Sequence, residues 1–147
     1  MKSLIFSLIL LAGSNFIMAQ QAEKELVQTV IQTAYVEGIH NRAGIEKITA
    51  GFHPGFEMIG TRNGLLTKFP IYSWIESIQQ AMANAGTNAN EAVVTAKFPL
   101  IDVSGDAAVA KVELFREGKQ LFTDYLLLYK FDKGWRIVSK IYYRLPE

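Results

Sequence analysis

Three stretches of the chain repeat apolar residues every three to four positions, and four later stretches alternate them every second position. The first helical stretch runs from Ala22 to Ile39. At about 100° per residue, Leu26, Val27, Val30, Ile31, Ala34, Tyr35 and Gly38 share one arc. Glu23, Lys24, Gln28 and Gln32 face away, and Asn41 suits the end. A second, shorter helix is predicted over Gly44 to Ala50, with Ile45 and Ile48 as its apolar contacts and Gly51 as its stop. The third opens at Pro70, a residue whose missing N–H costs nothing at the first helical position. Its core stripe is Ile71, Trp74, Ile75, Ile78, Met82 and Ala85, and Gly86-Thr87-Asn88 ends it.

Between the second and third helices, His53-Pro54-Gly55 forces a turn. Phe56 to Gly60 and Leu65 to Phe69 then read as a hairpin joined through Asn63-Gly64, a strong two-residue turn signal. The long strands follow: Ala92 to Val103, Ala107 to Arg116, Gln120 to Phe131 and Trp135 to Arg144. Their connections are Ser104-Gly105-Asp106, Glu117-Gly118-Lys119 and Asp132-Lys133-Gly134, too short for anything but antiparallel neighbours. Pro99 implies a bulge or a sheet edge in the first of them. The order is α-α-β-β-α-β-β-β-β. It predicts an α+β domain in which three helices pack on one face of a strongly curved antiparallel sheet.

A length of 147 residues suits one domain, and a hydrophobic content of 50% excludes disorder. The N-terminus changes the picture. Lys2, the apolar run Leu4 to Ala12 and the small residue Ala19 before Gln20 together read as a signal peptide over 1–19, leaving a domain over 20–147. The run is broken at Gly13, Ser14 and Asn15, so it is too short for a stable membrane anchor. A periplasmic or secreted protein is expected. Fifteen basic residues face fourteen acidic ones, and loss of Lys2 with the leader leaves fourteen of each. Such balance argues against nucleic acid as a partner. With no cysteine, the chain has neither disulfides nor thiolate chemistry.

The element order is that of the nuclear transport factor 2-like superfamily, which includes ketosteroid isomerase, scytalone dehydratase and the polyketide cyclases. The stretches Phe122 to Lys130 (FTDYLLLYK) and Gly134 to Tyr142 (GWRIVSKIY) resemble an exported bacterial branch labelled "putative lumazine-binding". Tyr35 to His40 (YVEGIH) and Arg62-Asn63-Gly64 are similar to that branch as well. The resemblance implies a cone, closed by helices at its wide end, with an apolar pocket inside. It also implies dimerisation through the outer sheet face in many members.

Alternation in the last two strands separates two faces. One carries Tyr125, Leu127, Tyr129, Phe131, Trp135, Ile137, Ser139, Ile141 and Tyr143. The other carries Phe122, Asp124, Leu126, Leu128, Lys130, Arg136, Val138, Lys140, Tyr142 and Arg144. Because the charges fall on the second set, it is expected to face outward, with Asp124 and Lys140 as a cross-strand ion pair. Phe122, Asp124, Leu126, Leu128, Val138 and Lys140 then form the expected homodimer face. A bulge would invert part of this assignment. The expected pocket lining is Tyr35, Phe56, Met58, Trp74, Tyr125, Tyr129 and Ser139, suited to a hydrophobic or planar heterocyclic molecule.

Candidate chemistry is sparse. The resemblance to ketosteroid isomerase matches Tyr35 to that enzyme's oxyanion donor, but puts Gly60 near the place of its catalytic carboxylate, and glycine moves no proton. Glu37 lies by helical angle inside the apolar arc, where burial would raise its pKa as a general acid or base requires. Its alternative is a frayed helix end in solvent. His40 and His53, the only histidines, flank a short helix as loop or cap residues, and their spacing implies no metal. No cofactor motif occurs. The reading is an exported small-molecule-binding protein with no assigned catalysis. The alternatives are a cofactor-free isomerase, dehydratase or cyclase using Glu37 and Tyr35, and a dimeric structural or interaction module.

Overall fold

A computed structural model describes residues 18–84 and 92–146. The expected leader, all but its last two residues, and the expected third-helix end at Gly86-Thr87-Asn88 lie outside the described residues. Helix α1 starts as an α-helix over 18–30 and widens into a π-helix over Ile31–His40. The wider turn is closed by Asn41 N–H donating to the Val36 carbonyl at 3.0 Å. It also broadens the buried face. Ala34, Tyr35 and Val36 are buried in succession, with Ile31, Gly38 and Ile39 around them.

Helix α2 (Ile45–Gly51) packs directly on α1. The approach depends on glycine: a Cβ at Gly38 would come within 2.8 Å of Ile48 Cγ1, and one at Gly51 would overlap Ala34 Cβ. Strand β1 (Phe52–Arg62) follows without a break and turns through Asn63 and Gly64 into β2 (Leu65–Pro70). Both turn residues have positive φ, 53° and 77°, as this hairpin type requires. Helix α3 spans Ile71–Asn84. Strands β3 (Val94–Ser104), β4 (Ala107–Arg116), β5 (Lys119–Phe131) and β6 (Gly134–Arg144) form the expected meander.

The six strands lie in the order β2-β1-β6-β5-β4-β3. The α+β class and element order are those anticipated. One pairing departs from a wholly antiparallel sheet: β1 runs parallel to β6, with Met58 opposite Lys140. The crossover through α3 and the whole meander makes this possible, since parallel neighbours need a long connection. Register shifts occur in four pairings, and such bulges bend a sheet. Pro99 sits at the shift between Lys97 and Leu100 on edge strand β3, where a missing N–H is tolerated.

The core lies between the helices and one face of β4, β5 and β6. Val112, Leu114, Leu126, Leu128 and Ile137 are buried against Val27, Ile31, Ile48 and Phe56. On β5 this reverses the expected faces. Asp124, Leu126 and Leu128 point inward, whereas Tyr125, Leu127 and Tyr129 are 41%, 49% and 53% exposed. On β6, Trp135 and Ile137 are inward as expected. Between Ile137 and Ser139 the register shifts, leaving Val138 without a pairing partner on β5, and the alternation restarts with Lys140 inside. Phe122, Asp124, Leu126, Leu128 and Lys140 therefore cannot form the outer face, and Tyr125 and Tyr129 cannot line the hollow.

Candidate functional site

The placement of charges outside fails for a specific reason: the inward charges satisfy one another. Lys140 Nζ donates to Asp124 Oδ1 at 2.9 Å and to the Tyr35 hydroxyl oxygen at 2.5 Å. Tyr35 O–H donates to Asp124 Oδ2 at 2.6 Å. The two strands are paired so that Lys140 stands opposite Leu126, one inward position along from Asp124. The π-helical turn of α1 lowers Tyr35 onto both. Asp124 and Tyr35 are fully buried, and Lys140 is 4% exposed. A buried ion pair of this kind is tolerable only with its hydrogen-bonding capacity filled, and the tyrosine supplies that for the carboxylate.

Lys140 is also enclosed by rings. Its Nζ lies 4.7 Å from the Tyr35 ring centre, 5.0 Å from Tyr142 and 5.5 Å from Trp74. Burial pulls the ammonium pKa below its usual value, against the opposing pull of Asp124. Burial first, and then the charge and hydrogen bond of Asp124, raise the Tyr35 hydroxyl well above 10. Tyr35 is therefore a neutral donor at physiological pH. An ammonium has three N–H donors, and two have protein acceptors here. Among the described residues the third has none.

That third donor matters because Lys140 lines a cavity of about 250 Å³. Trp74 from α3, Met58 from β1, Phe122 from β5 and Tyr142 from β6 supply its apolar walls, and His40 and Arg144 complete the lining. Of the expected lining residues, Met58 and Trp74 face this cavity. Tyr35 and Phe56 are fully buried, with Trp74 against both: ring centres are 6.1 Å apart for Tyr35–Trp74 and 6.3 Å for Phe56–Trp74. Ser139 spends its hydroxyl on the Glu57 carbonyl at 3.0 Å.

Glu37 is not a desolvated acid. The widened helix turns it outward, where it pairs with Lys47 at 2.5 Å with 36% of its side chain exposed. That hydrogen bond lowers its pKa, the reverse of what a general acid requires.

His40 was expected to be a loop or cap residue, and it does end the π-helix. It is more than that. The residue keeps some exposed surface, but its Nε2 is shut off from water and has no hydrogen-bond partner. The ring meets Tyr35 edge-on at 4.7 Å. Burial, followed by the nearby charges of Lys140 and Arg116, lowers its pKa to about 3. His53 lies outside this cluster, stacked on Phe131. Among the described residues, no group of three or more His, Cys, Asp or Glu side chains could hold a metal ion.

The alternation along β5 and β6 puts Asp124 and Lys140 on the opposite side of the sheet from Tyr35, whereas the fold brings all three together. The signal that could have united them is local. Asp124 falls in the frame of Leu126 and Leu128, two residues apolar enough to demand burial.

The arrangement can be set against known proteins. The sequence model of one family, described as "Putative lumazine-binding", matches residues 22–143. A solved nuclear transport factor 2-like protein of unknown function from Silicibacter pomeroyi DSS-3 is 22% identical, with a TM-score of 0.64, covering 90% of this chain and 98% of its own. Another, from Shewanella baltica OS155, is 25% identical with a TM-score of 0.63 over the same shares. A domain of unknown function with a cystatin-like fold from Nostoc punctiforme PCC 73102 is 16% identical, with a TM-score of 0.61, covering 86% of this chain and 79% of its own. No curated protein matches the sequence.

Proposed function

The chain belongs to the putative lumazine-binding family of nuclear transport factor 2-like proteins, and from that membership we propose that it binds a planar, hydrogen-bond-accepting small molecule between Trp74 and Tyr142. The observation that carries this reading is the Lys140 ammonium. It is fixed by Asp124 and Tyr35, boxed by three rings, and holds one donor in reserve at a cavity of about 250 Å³. Aromatic walls with a few fixed polar groups are the usual makeup of a small-molecule site. A heterocyclic carbonyl or ring nitrogen would accept the spare N–H while the ring stacks on the indole. No catalytic step is assigned to it.

Thermal-shift measurement against a panel of pteridines, flavins and quinones tests the reading. Stabilisation by at least one compound, weakened tenfold or more in Trp74→Ala, is expected. No stabilisation by any member of the panel would end the proposal.

The binding protein is proposed to work outside the cytoplasm. Residues 18–22, which contain the cleavage point expected after Ala19, are exposed. Mass measurement of the protein recovered from its native compartment should give a chain starting at Gln20; retention of Met1 would refute export with cleavage. A second copy of the chain is proposed to cover the outer face of β5 and β6, where Tyr125, Leu127, Tyr129, Ile141 and Tyr143 are each at least 41% exposed. Near-zero net charge removes any electrostatic barrier to such pairing. Sedimentation at rising concentration should show a dimer that Leu127→Lys dissociates, and a monomer throughout would rule it out.

A further inference from the structure

A second hollow, again of about 250 Å³, adjoins the aromatic one and shares its His40, Phe122 and Arg144 walls. Its character is different. Arg116 and Lys119 line it beside Arg144; among the described residues no carboxylate lines it and neither Arg116 nor Lys119 has an ion-pair partner. Two of its nitrogen atoms, His40 Nε2 and Arg116 Nε, are buried without any hydrogen-bond partner. Buried polar groups are nearly always satisfied, so two orphans beside one concavity call for an explanation.

We infer that this basic hollow is the anion subsite of the same ligand site, and that the ligand is a planar aromatic molecule carrying a carboxylate or phosphate group. The inference rests on the binding role proposed above. The aromatic hollow takes the ring, and the anionic group passes Phe122 into the basic hollow, where Arg116 and Lys119 neutralise it. Arginine suits such a group because its planar fork matches two acceptor oxygens at once. His40 fits the same picture as a neutral ring, since the lowered pKa keeps it uncharged. Its unpartnered nitrogen, buried beside the hollow, lacks a single hydrogen bond rather than a second ion pair.

The test compares three probes of one ring system by calorimetry: naphthalene-2-carboxylate, 2-naphthyl phosphate and the neutral naphthalene-2-carboxamide. At least one anionic probe is expected to bind about tenfold tighter than the amide. Which one it is distinguishes a carboxylate site from a phosphate site. In Arg116→Gln/Lys119→Gln that preference should vanish while amide affinity holds. Lys119→Gln alone, on an exposed turn flank, should remove part of it without touching the fold.

Equal binding of all three probes to the native protein overturns the anion subsite and leaves the aromatic site standing. An anion preference that survives in the double variant assigns it to Lys140 or Arg144 and equally overturns the subsite built on Arg116 and Lys119. Equal loss for all probes in Lys119→Gln does the same. Failure of all three probes to bind defeats the aromatic site together with the subsite.

Discussion

Lys140 and Asp124 stand diagonally across the β5–β6 ladder, with Nζ 2.9 Å from Oδ1, on the face of the sheet turned toward the helices. Neither could exist there alone. Removing one partner of a buried pair leaves an uncompensated charge, which costs about 3–5 kcal/mol. Asp124→Ala is therefore expected to lose about that much in urea unfolding, whereas Tyr35→Phe, which keeps the pair, should lose about 1.5–3 kcal/mol. A loss below about 1 kcal/mol for Asp124→Ala would mean that the pair is not buried as described.

The reversal of faces on β5 gives a sharper contrast between adjacent leucines. Leu126 is fully buried and Leu127 is 49% exposed. Leu126→Ala should cost about 2–5 kcal/mol, and Leu127→Ala about 0.5 kcal/mol or less in the monomer. The opposite ranking would restore the outer placement of Asp124 and Lys140.

His40 makes stability depend on acid. Its folded pKa is depressed to about 3 from 6.5, so between these values the unfolded chain holds the extra proton. Its contribution is complete above about pH 6.5 and is lost as pH falls toward 3. At pH 5 the loss amounts to about 2 kcal/mol. Denaturation midpoints measured from pH 7.5 to 4.5 should show that slope in the native protein and a shallower one in His40→Gln. Parallel slopes would show that His40 titrates normally.

The contact of α1 with α2 predicts a steric effect. Gly51→Ala places a methyl group onto Ala34 Cβ and should destabilise by about 1–3 kcal/mol. The gap-making partner change, Ala34→Gly, should recover part of that loss. A neutral Gly51→Ala would show that the helices separate freely.

Much of this fold was legible because its signals are local. The Asn63-Gly64 turn, the Pro99 irregularity and the three short strand connections stand where the sequence put them. Two features were not legible. The parallel contact of β1 with β6 joins segments with no shared pattern, so periodicity cannot report it. The site was hidden by a rule that is usually sound, that charges mark the solvent face. Asp124 and Lys140 break it because they pair with each other and Tyr35, from a helix far away in sequence, hydrogen-bonds to both. Glu37 failed for a related reason: an angle of about 100° per residue holds only for α-helical geometry, and Ile31–His40 is wound more loosely.

The pairing of β1 with β6 also governs whether the site can come into being. Met58 stands opposite Lys140 only where β6 is paired with β1, so the ammonium, the indole and their cavity depend on a contact between segments about eighty residues apart. A chain ending before residue 134 would lack Lys140, Tyr142 and Arg144, and with them the place to hold a ligand.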